Sequence, residues 1–165
     1  MKRFIKIIGG ILGAACMAVI LLTVVSCKKS SYSSGSGSDS TVAYSGTMIK
    51  SASDVVTSAT GSVTATYNPG SGMFKYTVNW NNLSGAAVQM HFHDGTPPSA
   101  PIVIAIQNFP ADSSGSVSGE ATLTAGQAND LGAGKLFAQI HTAAWPNGEI
   151  YAVLSKKSQS TGDGY

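Results

Sequence analysis

Short runs in which apolar and polar residues alternate with period two, punctuated by Gly-, Pro- and Asn-rich turns, fill the middle of this chain and restrict it to β-strands. Residues 61–67 set Val63, Ala65 and Tyr67 against Ser62, Thr64 and Thr66. The turn Asn68-Pro69-Gly70-Ser71-Gly72 follows. Residues 73–80 then place Phe74, Tyr76, Val78 and Trp80 on one face and Lys75, Thr77 and Asn79 on the other. Together they predict a hairpin with Trp80 in the core. Residues 88–93 alternate again, and 102–106 are continuously apolar, as in a strand buried on both sides. Residues 116–123, 135–142 and 149–154 complete the set, with a less regular first strand around 41–49. Residues 124–132 are the one short helical connector expected, with Thr124 as its N-cap. Seven or eight short strands of this kind predict an all-β fold, an antiparallel sandwich with Greek-key connections.

The flanks read differently. Residues 1–26 carry a basic start (Lys2, Arg3, Lys6) and an apolar run over 7–25, the pattern of an export signal. That run is also near the roughly 20 residues that cross a bilayer, so an uncleaved membrane anchor is the alternative. Val24-Val25-Ser26-Cys27 resembles the bacterial lipobox, in which the signal is cut before a cysteine that becomes lipidated, here Cys27. Lys28 and Lys29 follow, where an aspartate commonly retains such proteins at the inner membrane. The expected address is therefore the bacterial envelope, lipid-anchored at the outer membrane on its periplasmic or surface face. Several acyl chains, at about 0.8 kcal/mol per buried methylene, hold a membrane far better than one. Residues 27–40 form a Ser/Gly-rich tether, 41–155 the folded domain, and 156–165 a loose tail.

Charge and cysteine content narrow the function. The formal +2 of the whole chain owes much to the signal. Within 41–155, Lys50, Lys75 and Lys135 face six acidic residues, a balance that argues against nucleic acid as a partner. The two cysteines, Cys16 and Cys27, both precede the domain, which therefore has no disulfide and must be stabilised by burial. There is no Gly-x-Ser-x-Gly elbow, phosphate-cradling loop or cysteine nucleophile, and a non-enzymatic domain is expected.

All three histidines of the chain lie in two short segments, Met90-His91-Phe92-His93-Asp94-Gly95 and Ile140-His141-Thr142. Strand parity turns Val88, Met90 and Phe92 one way and His91 and His93 the other. On 135–142 the core side is Leu136, Ala138 and Ile140, and His141 shares the opposite face with Phe137 and Gln139. If the two strands pair, three imidazoles meet on one patch away from the core. Three readings stay open: histidines that fix loops by bonding carbonyls, a three-nitrogen copper or zinc site, and some other binding role. Asp94, Glu149 or water would fill a fourth metal position. Glu149, after the turn Pro146-Asn147-Gly148, is expected rather to form a salt bridge or accept a backbone bond. Trp145 lies in a loop, as a contact residue or packed over a sheet end.

Residues 57–151 resemble the CHRD domain, named for its repeats in chordin. The matching pieces are Ser58-Ala59-Thr60-Gly61, the run TYNPGSGMFKYTVNWNNLSGA over 66–86, the His-x-His strand with its Gly/Pro loop, the connector 123–131, and GKLFAQIHTAAWPNGEI over 134–150. The last block is the most specific. The resemblance implies an extracytoplasmic, immunoglobulin-like sandwich that acts as a binding or structural module for a protein or glycan partner. Departures are Tyr151-Ala152 where the family usually has Arg-Gly, Met48-Ile49-Lys50-Ser51-Ala52 where it carries a Glu and prolines, and Gln139 for a common Asn. A role that needs that arginine does not carry over. The run His91-Phe92-His93-Asp94-Gly95 also resembles the copper-binding strand of the Cu/Zn superoxide dismutases, whose cysteines and remaining ligands have no counterparts here.

Overall fold

The computed structural model describes residues 40–158. Alternation translates into strands as expected: β1 (Val42–Thr47), β2 (Ile49–Lys50), β3 (Thr60–Asn68), β4 (Met73–Asn81), β5 (Ala87–Asp94), β6 (Ile102–Ala105), β7 (Gly115–Thr122), the helix α1 (Ala125–Gly132), β8 (Leu136–Thr142), β9 (Ile150–Val153) and β10 (Ser155–Lys156). They form two five-stranded sheets, ordered β10-β1-β3-β4-β7 and β2-β9-β8-β5-β6, with antiparallel pairing throughout. The chain leaves β4 for the second sheet, makes β5 and β6 there, and returns as β7 beside β4. The result is an antiparallel β-sandwich.

The first expected strand is split, and the last is followed by a further short strand that takes in Lys156, paired with Tyr44 where a loose tail was expected. The first runs in one sheet to Thr47, turns at the buried Met48, and continues as β2 in the other sheet. The last does the reverse at the buried Leu154. Each pivot keeps its amide bonded, Met48 N donating to Gly61 O and Leu154 N to Leu136 O. One edge of the sandwich is thereby stitched across twice, by β1 into β2 and by β9 into β10, while β7 and β6 form the other edge.

The core is built by matching large side chains to small ones across strands. Tyr76 of β4 faces Ala65 of β3 and Gly119 of β7, and Trp80 faces Gly61 and Gly115. A Cβ at Gly119 would lie 2.4 Å from the Tyr76 hydroxyl, and one at Gly115 2.7 Å from the Trp80 ring. Phe92 of the second sheet meets Phe74 and Tyr76 edge-on, at centroid distances of 5.3 and 4.9 Å. Gly119→Ala is therefore expected to destabilise by about 1–3 kcal/mol through overpacking, measured as a lowered urea midpoint at unchanged slope.

The helix is as expected. Thr124 caps it, and the Gln127 side chain returns a bond to the Thr124 amide. Its Leu131 is buried against the sandwich.

The apolar run 102–106 is corrected. β6 pairs only with β5 and is an edge strand, with Ile102 54% exposed and only Ile106 buried. Its continuous apolarity had indicated a central strand. The strand buried on both faces is instead β8, where all seven residues are buried. Leu136, Ala138 and Ile140 belong to the core cluster, while Phe137, Gln139 and His141 take the opposite face. That second face is roofed.

Candidate metal centre

β5 and β8 are hydrogen-bonded neighbours, with Gln89 opposite His141, His91 opposite Gln139 and His93 opposite Phe137. The register thus sets His141 diagonal to His91 on one face, close enough for ring contact. Ring centroids are 5.2 Å apart for His91–His141, 5.7 Å for His91–His93 and 6.2 Å for His93–His141. Each imidazole offers a nitrogen, and these nitrogens all lie within 4.8 Å of one another. Metal–nitrogen bonds of about 2.0–2.1 Å hold donors closer still, so an ion would draw the three rings inward.

The roof fixes the tautomers. His93 Nδ1 sits 2.7 Å from the Ala100 carbonyl, and His141 Nδ1 3.0 Å from the Pro146 carbonyl. A carbonyl only accepts, so both Nδ1 atoms carry hydrogen, and in the neutral tautomer this leaves the lone pair on Nε2. Those two Nε2 atoms and His91 Nδ1 are buried side-chain nitrogens with no hydrogen-bond partner. The loop-fixing role and the ligand arrangement therefore coexist, on opposite nitrogens of the same rings. Phe137 lies flat under His93 at 5.0 Å and 10° and holds its plane.

Electrostatics disfavour the charged form of His91 and of His141. Burial pushes the His91 imidazole below its ordinary value of 6.5, and the neighbouring His141 and His93 push the same way. Burial also lowers His141, with the Pro146 carbonyl opposing and His93 adding to the shift. Near neutral pH these rings present lone pairs rather than positive charge.

The roof loop over 143–149 depends on residues that sequence reading undervalued. Gln139, 1% exposed, donates through Nε2 to Ser51 Oγ and to the Asn147 carbonyl. Gly148 has φ +108°, and a Cβ there would lie 2.0 Å from Gln139 Nε2. Gly148→Ala should cost about 1–3 kcal/mol and, by displacing Pro146, weaken any ligand at His141; an unchanged melting curve would contradict this.

Glu149 is fully buried and joins three segments. One carboxylate oxygen accepts from the Thr57 hydroxyl and the Ser84 amide, the other from the Ser84 and Thr142 hydroxyls. Burial pushes this carboxyl up, but those hydrogen bonds outweigh it and hold it below its ordinary 4.5. It accepts a backbone bond, as expected, and its oxygens are committed to hydroxyls and an amide. Asp94 alternates to the other side of β5 from His93, where burial and the neighbouring Asp130 push its carboxyl above its ordinary value, with Lys135 opposing. Neither carboxylate joins the histidine group. Trp145 is half-buried and lines a small cavity with Val55 and Pro98. Cys27, with the signal and nearly all of the tether, lies outside the described residues, and among those described no helix is long and apolar enough to cross a membrane.

Sequence alone did not find Thr57, Ser84 and Thr142, because hydroxyls carry no pattern until a buried anion gathers them. The Ala100 and Pro146 carbonyls leave no side-chain signal at all.

The CHRD domain family matches residues 41–151. This chain belongs to the CHRD family. No curated protein and no solved structure matches it. The CHRD block over 134–150 acquires a physical meaning here: His141 joins the imidazole cluster, Thr142 donates to Glu149, and Gly148 lets the loop pass over Gln139.

Proposed function

We propose that this CHRD domain is a transition-metal-binding module, held at a bacterial envelope membrane by a lipid on Cys27. Family membership supports a binding or structural module. The observation that favours metal is the set of three buried, unpartnered imidazole nitrogens on adjacent strands, two of them oriented by bonds from their opposite nitrogens to carbonyls. Buried polar atoms ordinarily find partners, and metal-ligating histidines ordinarily donate their other N–H to a carbonyl or carboxylate. His93 Nε2, His141 Nε2 and His91 Nδ1 are the proposed ligands. Imidazoles without thiolate or carboxylate suit copper or zinc. Bound metal would cross-link β5 and β8 and supply a Lewis-acidic or redox-capable centre. Titrating the purified protein with Zn(II) or Cu(II) against a chromophoric chelator should show one tight site per chain. His93→Ala and His141→Ala should each weaken it at least a hundredfold. Equal affinity in wild type and both variants would refute the reading.

A further inference from the structure

The geometry points to a closed site that favours reduced copper: we infer that His91, His93 and His141 hold Cu(I) as a three-coordinate ion, in preference to Zn(II) and to Cu(II). This rests on the proposed metal reading and extends it to the identity and charge of the ion.

Coordination number is the first ground. Among the described residues the group offers three imidazole nitrogens, with no thiolate or carboxylate beside them. Glu149 is committed to four donors of its own. His93 Nε2, His141 Nε2 and His91 Nδ1 are all buried. A cavity of about 460 Å³ touches the His93 and His141 rings, but beside Ala100 and Pro146, whose carbonyls hold the Nδ1 atoms. His91 is not in its wall. Among the described residues, then, neither a protein group nor a path from solvent supplies a fourth ligand. Zinc sites take four, the fourth being water where the protein gives three. Cu(I), a filled-shell ion of single charge, is satisfied by three.

Charge is the second ground. Imidazole serves copper and zinc alike, so donor type does not decide between them. Three neutral rings leave an ion its whole charge, and the cost of burying that charge rises with its square. A divalent ion is therefore about four times as costly to bury here as a monovalent one, with no anion to offset it. Entry of the ion falls to His91. That ring is half-buried and, unlike the other two, has no carbonyl holding it, so it swings aside and closes again most easily.

The test uses the full chain in detergent, with Cys16→Ser and Cys27→Ser so that neither thiol takes copper. Cu(I) is titrated without oxygen, under ascorbate, against bicinchoninate, and Zn(II) and Cu(II) against chromophoric chelators. Expected is one site per chain that holds Cu(I) at least a hundredfold more tightly than Zn(II) or Cu(II). X-ray absorption should show three nitrogen neighbours around Cu(I) and no fourth. His91→Asp sets a carboxylate oxygen about where Nδ1 stands and gives the site a negative charge. It should lower the ratio of Cu(I) to Zn(II) affinity at least tenfold, whereas loss of a merely structural ring would weaken both ions alike. Zn(II) or Cu(II) held as tightly as Cu(I), a fourth light neighbour on Cu(I), or an unchanged ratio in His91→Asp would overturn the inference and leave the metal reading intact. No binding of any of the three ions would overturn both.

Discussion

Replacing Glu149 with alanine is expected to cost about 3–5 kcal/mol, a large share of the about 5–15 kcal/mol that holds an ordinary domain folded. The magnitude follows from what the carboxylate does. The buried carboxylate satisfies the buried Thr142 hydroxyl, the half-buried Thr57 hydroxyl, and the hydroxyl and amide of Ser84 at the surface. Without it those donors keep their desolvation cost and lose their acceptor. The stretch between β2 and β3, the loop before β5 and the end of β8 lose their common tie at once. Glu149→Gln should recover part of the loss, since its amide has one acceptor oxygen where the carboxylate has two. The same group sets an acid limit. Its folded pKa lies below the unfolded value, so its stabilisation is fully present above about pH 4.5 and is lost as pH falls through the folded value. Glu149→Gln should flatten that part of the stability–pH profile, measured by urea denaturation. A profile identical to wild type would show that another group sets the limit.

The second large effect is metal-dependent stability. With free Zn(II) or Cu(II) at a thousand times the dissociation constant, the folded state should gain about 4 kcal/mol, seen as a raised Tm reversed by chelator. In His93→Ala, with affinity at least a hundredfold lower, the gain should fall to about 1.4 kcal/mol or less. Under chelator the same substitution should cost about 1–3 kcal/mol, because the Ala100 carbonyl loses its donor and Phe137 loses its stacking partner. The two numbers separate the ring's roles. A variant with the wild-type metal gain would leave the loop-fixing role alone standing.

The histidine site was legible in the sequence to the extent that strand parity decides it. His91, His93 and His141 fall on the side away from Met90, Phe92 and Ile140, and the register of β5 with β8 brings them together. Alternation encodes a face, and a face was enough. It does not encode what covers that face. Phe137 and Gln139 sit opposite the core as expected, yet both are as buried as core residues, Phe137 between the His93 and Tyr151 rings and Gln139 under the loop after β8. The same blindness misread the strand around Ile102, since an apolar run looks alike at an edge and in the middle of a sheet. The sheet-switching bends at Met48 and Leu154 were hidden because side chains keep alternating through a pivot. Glu149 was visible as a residue, but its four donors come from segments as far apart in sequence as Thr57 and Thr142. Long-range polar clusters of that kind belong to the tertiary fold.

The three imidazoles stand on strands, two are locked by carbonyls, and the third lies edge-on to both at 5.2 and 5.7 Å. Pre-organisation of this sort lowers the ordering cost of binding.

The most direct measurement is the electron paramagnetic resonance spectrum of the protein carrying one equivalent of Cu(II). Nitrogen hyperfine structure from three imidazoles is expected, falling to two in His91→Ala, His93→Ala or His141→Ala. A spectrum indistinguishable from copper in buffer, or one unchanged by all three substitutions, would contradict the metal centre.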